Sequence, residues 1–556
     1  MTAPRRRLRL LRLGALLLAM LLGAVLLSAP AGADPPSQID GSGSSWAENA
    51  VNQWVSDVHS QGVEVVYSPD GDSQGRQDYA NKVSDFAVTS DGYQGVDPVT
   101  GVSDTSGGRP YAYLPIAAGG TSFPYQIRYD GQQVENLRLS GLTLAKIFTN
   151  VITNWDDPEI TQDNNGHALP SLPITPVVQS EGSGATNQLT SYFATEYPSL
   201  WKAFSGQSGP TEYFPRQGDQ IAQNGSNGAM NYVASSQANG SISYVEYSFA
   251  LSVNYPVAKV LNAAGDFTLP TQYNVAVSLE AAQINMDPSS PDYLLQNLAN
   301  VYTDTDPRTY PLSSYVYMIE PTGSAPAETS ITTGKRQALA DFGYYSICQG
   351  QKEIGPIGYS PLPVNLVEAG FGQLQKLQTA DPGVDLTNLN ILTCNNPTFV
   401  LGQPNTNYLA TIAPLPPSCD QVGAGPCAAG VTPNGIGAPP TSSGSIAGSG
   451  ASGGTASAAQ TGGSGTGVGS AAVAGATGAS STGAGGAALS VAGSVGGGAG
   501  STPAAATIVN ATLPGTGAST LFRAWGPLTV VLLLLVFGIP AFIGIRRLRR
   551  HRGAAS

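Results

Sequence analysis

Across 556 residues the chain carries 25 Lys and Arg against 37 Asp and Glu, with 68 Gly, 41 Pro, 4 Cys and 3 His, and its formal net charge is −12. The basic residues gather at the ends, 5 before residue 34 and 6 from Arg523 onward, so the span between is near −23 and excludes nucleic acid, which needs a basic surface. That span attracts anions poorly at long range, so an anion site in it must work through local dipoles. Three histidines and no CxxC pair argue against a zinc site, and neither a metal nor a cofactor is expected.

Residues 1–33 read as an export signal. Arg5, Arg6, Arg7, Arg9 and Arg12 form a basic head, residues 13–27 an apolar core, and Ala31, Gly32 and Ala33 a small-residue cleavage site. The stretch GSGSSW then leads into a helical pattern of Trp46, Ala50, Val51, Trp54 and Val58. A strand is expected over 63–67, a Gly/Ser turn over 70–75, a helix over 76–83 and a buried strand over 85–89 that ends at Ser90 and Asp91. This alternation is an α/β rhythm.

Further along, strands are expected over 111–118 and 122–129, a helix over 142–148 and a strand over 174–179. That last strand enters the loop QSEGSGAT, from Gln179 to Thr186, and a helix carrying Leu189, Tyr192 and Phe193. The first N–H groups of a helix lack internal partners and lie at the positive end of its dipole. Glycines let a ligand approach them, and Ser183 and Thr186 add hydroxyl donors, so this loop is a candidate anion cradle. A helix over 225–234, strands over 242–247 and 315–320, and helices over 335–345 and 366–377 complete the pattern.

The domain is expected to occupy 34–380, with a Cys-containing extension over 381–429. Cys348, Cys394, Cys419 and Cys427 allow three pairings into two disulfides; Cys348–Cys394 with Cys419–Cys427 is the pairing expected. Residues 430–512 form a Gly/Ala/Ser tether too poor in apolar side chains to fold. For about 80 such residues the mean span is roughly 50 Å. A transmembrane segment over 525–545 and a basic cytoplasmic tail over 546–556 follow.

Three loop-before-helix cradles in this order resemble the phosphate-binding protein of ABC phosphate importers. GSGSSW resembles that family's first ligand loop, DGDSQGRQDY its second, and SDFAVTSD its strand ending in a ligand-binding Asp. GLTLAKIFTNVITNWDDPEI, GSISYVEYSFA, YPLSSYVYMI and IGPIGYSPLP resemble other family segments, over roughly residues 38–378. The resemblance implies an α/β, two-lobed periplasmic-binding-protein fold of type II-like form. It is followed here by the disordered tether and the C-terminal transmembrane helix. The implied ligand set is Ser45, Trp46, Asp72, Ser73, Asp91, Gln179, Ser183, Gly184, Ala185 and Thr186.

Several positions depart from the family. Gln179 stands where an Arg is usual, Asp72 where a Ser is usual, and Ala185 where a Thr is usual. A hydrogen bond from Arg to an oxyanion contributes about 1.5–3 kcal/mol against about 0.5–1.5 for a neutral donor, so Gln179 weakens anion binding. Arg76, one turn after Asp72, is either a substitute cation or a solvated helix residue. Asp91 facing an oxyanion favours a ligand that brings a proton, hydrogen phosphate over sulfate.

Leu513, Pro514, Thr516 and Gly517 belong to an LPGTG stretch that resembles a sortase sorting signal, implying linkage of Thr516 to peptidoglycan. The functional expectation is an extracellular solute-binding protein tethered at the cell envelope. It captures phosphate or a related oxyanion and hands it to an ABC permease, with the membrane helix, sortase and peptidoglycan as partners. The alternative is a surface adhesion or sensing protein that keeps the fold with a changed or lost ligand. No GxSxG, HExxH or Ser-His-acid set points to an enzyme.

Overall fold

The computed structural model describes residues 37–427 apart from 98–100, 102, 401 and 404. The export signal, tether, LPGTG stretch, apolar segment and basic tail expected from the sequence lie outside the described residues. Among those residues no helix is long and apolar enough to cross a membrane.

The chain opens with β1 (Ile39–Gly43), α1 (Glu48–His59), β2 (Val65–Ser68), α2 (Asp72–Ala80) and β3 (Phe86–Thr89). β1 pairs in parallel with both β2 and β3, so each helix crosses over between parallel strands. In α1 the buried side chains are Ala50, Val51, Trp54 and Val58, the 3–4 spacing that the sequence shows. α2 begins four residues earlier than its apolar pattern suggests. Gly71, at φ 106°, makes the turn that lets Asp72 start the helix.

β4 (Tyr111–Pro124) is one 14-residue strand where the sequence suggests two. Gly119 and Gly120 look like a break but serve close packing. A Cβ would lie 2.6 Å from Trp46 at position 119 and 2.4 Å from Pro270 at position 120. Then come α3 (Gly141–Phe148), β5 (Thr175–Gln179), α4 (Gly184–Glu196), α5 (Pro198–Ser205), β6 (Ile221–Gln223), α6 (Gly225–Ala234), β7 (Ser241–Ser243), β8 (Val257–Leu261) and β9 (Phe267–Thr268). α7 (Gln272–Ser278), β10 (Ser313–Pro321), α8 (Thr333–Ile347), α9 (Val364–Ala380) and α10 (Tyr408–Ile412) follow.

Two lobes result. In the first, the main path of the large sheet runs β9-β8-β4-β10-β3-β1-β2, with β10 antiparallel to both β4 and β3. In the second, β5 lies between β6 and β7 in a parallel three-stranded sheet. Past β10 the end of β4 pairs with Val245, Glu246 and β8, and Tyr125, just beyond it, bridges to Ile242 of β7 in the second sheet. Both ligand-side loops therefore start at the carboxyl ends of parallel strands, where open α/β sheets place their ligands.

Residues 381–427 pack onto this body. Disulfides join Cys348 to Cys394 and Cys419 to Cys427. Asn396 and Thr398 both bond the Leu362 carbonyl, and Leu409, Ala410 and Ala413 pack on α7 residues Tyr273, Ala276 and Val277. Lys259 Nζ meets Asp420 at 2.6 Å, and Arg138 donates to the carbonyls of Cys419 and Ala424.

Candidate functional site

Four helix starts meet between the lobes: those of α1 and α2 in the first, and of α4 and α6 in the second. Their segments touch directly. The Ser226 N–H donates to Ser45 Oγ at 3.1 Å, and the Ser73 N–H donates to the Gly182 carbonyl at 3.1 Å. Ser73 Oγ and the Tyr213 hydroxyl lie 2.9 Å apart. Gly184 permits the tightest approach, since a Cβ there would lie 2.4 Å from Asp72 Oδ1 and 2.5 Å from Ser90. Ser45, Asp72, Ser73, Gln179 and Ser183 are at most 2% exposed, so the lobes are closed on one another.

The residues that the sequence singles out fall into two groups. Ser45, Asp72, Ser73, Asp91, Ser183 and Gly184 come together at this junction. Trp46, Gln179, Ala185 and Thr186 are buried beside it and support it. Trp46 Nε1 donates to Thr121 Oγ1 at 3.1 Å, and Thr121 Oγ1 donates to Gln188 Oε1 at 3.1 Å. The Gln179 amide accepts from Ser183 Oγ and donates to the Tyr244 carbonyl and Ser226 Oγ. Thr186 Oγ1 bonds the Tyr244 hydroxyl at 2.8 Å.

Arg76 is neither a solvated helix residue nor a free cation. It is fully buried, and its Nε donates to Asp104 Oδ2 at 2.8 Å. One terminal nitrogen serves Thr89 Oγ1 at 2.7 Å and Asp91 Oδ1 at 3.1 Å; the other serves Glu212 Oε2 at 2.5 Å and Asp104 Oδ2 at 2.6 Å. Four N–H groups are hydrogen-bonded, and the second terminal nitrogen is also in ion-pair contact with Asp104, so the guanidinium is engaged within the protein. Glu212 belongs to the second lobe, so the Arg76–Glu212 pair crosses the cleft, as does the bond from the Asn187 amide to Asp91 Oδ2.

One cation thus faces three carboxylates, with Asp72 close by. Burial raises Asp91 against the pull of Arg76, and the nearby Asp72 and Asp104 charges raise it further, to about 6. Burial lifts Glu212 well above the usual carboxylate range, opposed by Arg76 and reinforced by Asp91 and Asp72. Burial also raises Glu181, whose carboxylate accepts the Gly225 N–H at 3.0 Å. Each of these carboxyls therefore keeps its proton to a higher pH than a solvated carboxyl does.

Glu212, Asp104, Tyr213 and Ser226 are site residues that the sequence reading missed. Ser226 carried a signal, as it follows the Gly225 turn at the head of a recognised helix. Glu212 and Tyr213 follow the connection SGQSGP and head no helix, and only the fold brings Glu212 to Arg76 across 136 positions. Among the described residues no group of His, Cys, Asp and Glu is arranged to hold a metal ion. A cavity of about 430 Å³ adjoins the junction, sharing Ser90, Asp91, Asn187 and Gln188 with it.

Comparison with known proteins bears on this geometry. A family model described as a PBP superfamily domain matches residues 29–349. Phosphate-binding protein PstS 2 of Mycobacterium tuberculosis is 30% identical over 332 residues, covering 59% of this chain and 83% of that protein. Phosphate-binding protein PstS of Xylella fastidiosa is 29% identical over 332 residues, covering 60% and 83%. Among solved structures, the high-affinity periplasmic phosphate-binding protein PfluDING, bound with phosphate, aligns with a TM-score of 0.49 and 18% identity, covering 64% of this chain and 100% of that one.

Proposed function

Because the chain belongs to the PBP superfamily and to the family of these phosphate-binding relatives, we propose that it is an extracellular solute-binding protein whose cleft takes phosphate or a related oxyanion. The observation that carries this is the buried point where helix starts touch across the cleft, Ser45 with Ser226 and Ser73 with Gly182, beside Ser183 and Gly184. Such a point stabilises negative charge with dipoles and hydroxyls alone, and the acidic surface provides no other means.

The proton content of the cleft sets the preference. Asp91 and Glu212 repel a fully ionised ligand and tolerate one that donates a proton. Hydrogen phosphate carries that proton at neutral pH and sulfate does not. The low-complexity, LPGTG and apolar stretches of the sequence support a binding domain held at the envelope, by wall linkage through Thr516 or by a membrane anchor, with an ABC permease as its partner. Isothermal titration of the purified protein with phosphate and sulfate tests the ligand: one-to-one phosphate heat without sulfate heat is expected, and Ser183→Ala should weaken it. Equal binding of both anions would contradict the proton argument.

A second reading, a sensing or adhesion protein with a changed ligand, draws on one observation. The Arg76 guanidinium is engaged with Thr89, Asp91, Asp104 and Glu212 of the protein itself. Absence of heat with either anion would favour it.

A further inference from the structure

Asp72 is the first residue of α2, at the positive end of that helix's dipole. Its carboxylate also reaches the other cradle segments. Oδ1 accepts the Ser90 N–H at 2.6 Å and lies against the start of α4, 2.4 Å from where a Cβ of residue 184 would sit. Oδ2 is buried without a hydrogen-bond partner, and the residue is 0% exposed. A helix-capping Asp stands before the first helical residue and bonds that helix's own first turn; here Gly71 holds the cap position, and the Asp72 carboxylate bonds Ser90 instead. Asp72 is also near Asp91, Glu212 and Glu181, whose charges oppose its own. A desolvated carboxylate among carboxylates persists only where something else favours negative charge. The dipole of its own helix and that of the nearby α4 start do so here, with the Ser90 N–H as its hydrogen-bond donor.

We infer that the Asp72 carboxylate is a built-in ligand of the cradle, so that the lobes close on it without a solute and a free oxyanion binds only by displacing it. Resting on the oxyanion reading above, this adds that affinity is set by competition between a tethered and a free anion. Direct contacts cross the cleft beside Asp72, Ser45 with Ser226 and Ser73 with Gly182. Asp72 is then the residue that determines whether the protein behaves as a solute binder or as a body that is closed whether or not phosphate is present.

The test uses the purified full chain with fluorescent dyes at Val83→Cys in the first lobe and Val151→Cys in the second, both exposed positions. Energy transfer and phosphate binding are followed together in the parent, Asp72→Ser and Asp72→Asn. The asparagine variant keeps the volume and the acceptor for the Ser90 N–H, and melting curves confirm that both variants fold. The parent should show the same transfer with and without phosphate and bind it weakly. Asp72→Ser should be open alone, close on adding phosphate and bind roughly tenfold or more tightly than the parent. Asp72→Asn should fall between them. A parent that opens without phosphate and closes on it, with Asp72→Ser binding equally or less tightly, would overturn the inference while leaving the oxyanion reading in place. An Asp72→Ser protein that opens but binds neither phosphate nor sulfate would keep Asp72 as the closing group and overturn the oxyanion reading instead.

Discussion

Arg76 in the cleft and Lys259 on β8 are both buried cations, but they keep different company. Lys259 meets one carboxylate, Asp420 at 2.6 Å, and the neighbouring Arg138 spends its donors on backbone carbonyls of the 419–427 loop. Arg76 meets three carboxylates, Asp91, Asp104 and Glu212; Asp104 and Glu212, like Asp420, each keep one buried oxygen without a partner, so the difference lies in the count of charges. The first arrangement balances charge and fastens a segment. The second leaves excess negative charge at the point where the lobes meet, so its state responds to protons and to whatever occupies the cleft. Both are buried ion pairs, yet only the unbalanced one has the character of a site.

The contrast is sharpest when single charges are removed. Asp420→Ala strands Lys259, whose ammonium burial already disfavours, and should cost about 3–5 kcal/mol in denaturant melts. Replacing both partners by Met and Leu should restore most of that loss. Arg76→Met should cost about 3 kcal/mol at pH 7 and clearly less at pH 5, where the stranded carboxylates take up protons. Equal costs at both pH values would break the distinction between the two clusters.

Asp91 provides a gentler probe. Its carboxyl is raised from an ordinary 3.8 to about 6, so the folded protein holds a proton that the unfolded chain has lost. The stabilisation is complete below about pH 4 and disappears as pH rises through about 6. Stability should therefore fall between pH 4 and pH 7, by on the order of 2 kcal/mol, and Asp91→Asn should flatten the profile. The smallest effect is expected from Gln179→Arg, which sets a guanidinium behind the cradle. Made in the Asp72→Ser background, it should tighten phosphate binding by about 1–2 kcal/mol, roughly five- to thirtyfold, in isothermal titration.

Most of the fold was legible because its elements carry their own periodicity. The α1 stripe of Ala50, Val51, Trp54 and Val58 and the run from Gly225 to Ala234 are read from sequence as they stand in the structure. The departures have local causes. Gly71 starts α2 at Asp72, which moves that carboxylate from a flexible turn onto a helix start. Gly119 and Gly120 make room for Trp46 and Pro270 and do not interrupt β4. The site was legible where glycine-serine loops mark it, at Ser45, Ser73, Ser183 and Gly184. Its charge balance was not, because Asp104 and Glu212 reach Arg76 through tertiary folding and carry no local pattern. Arg76 therefore read as either a free cation or a solvated one, when it is spent on neighbours.

The location of the anion tests the account most directly. Crystals of Asp72→Ser grown with arsenate, a heavier analogue of phosphate, would show the arsenic by anomalous scattering. The account predicts one peak between Ser45, Ser73, Ser183 and Gly184, with the lobes closed around it. Arsenic found only elsewhere, or an empty cleft at saturating arsenate, would contradict it.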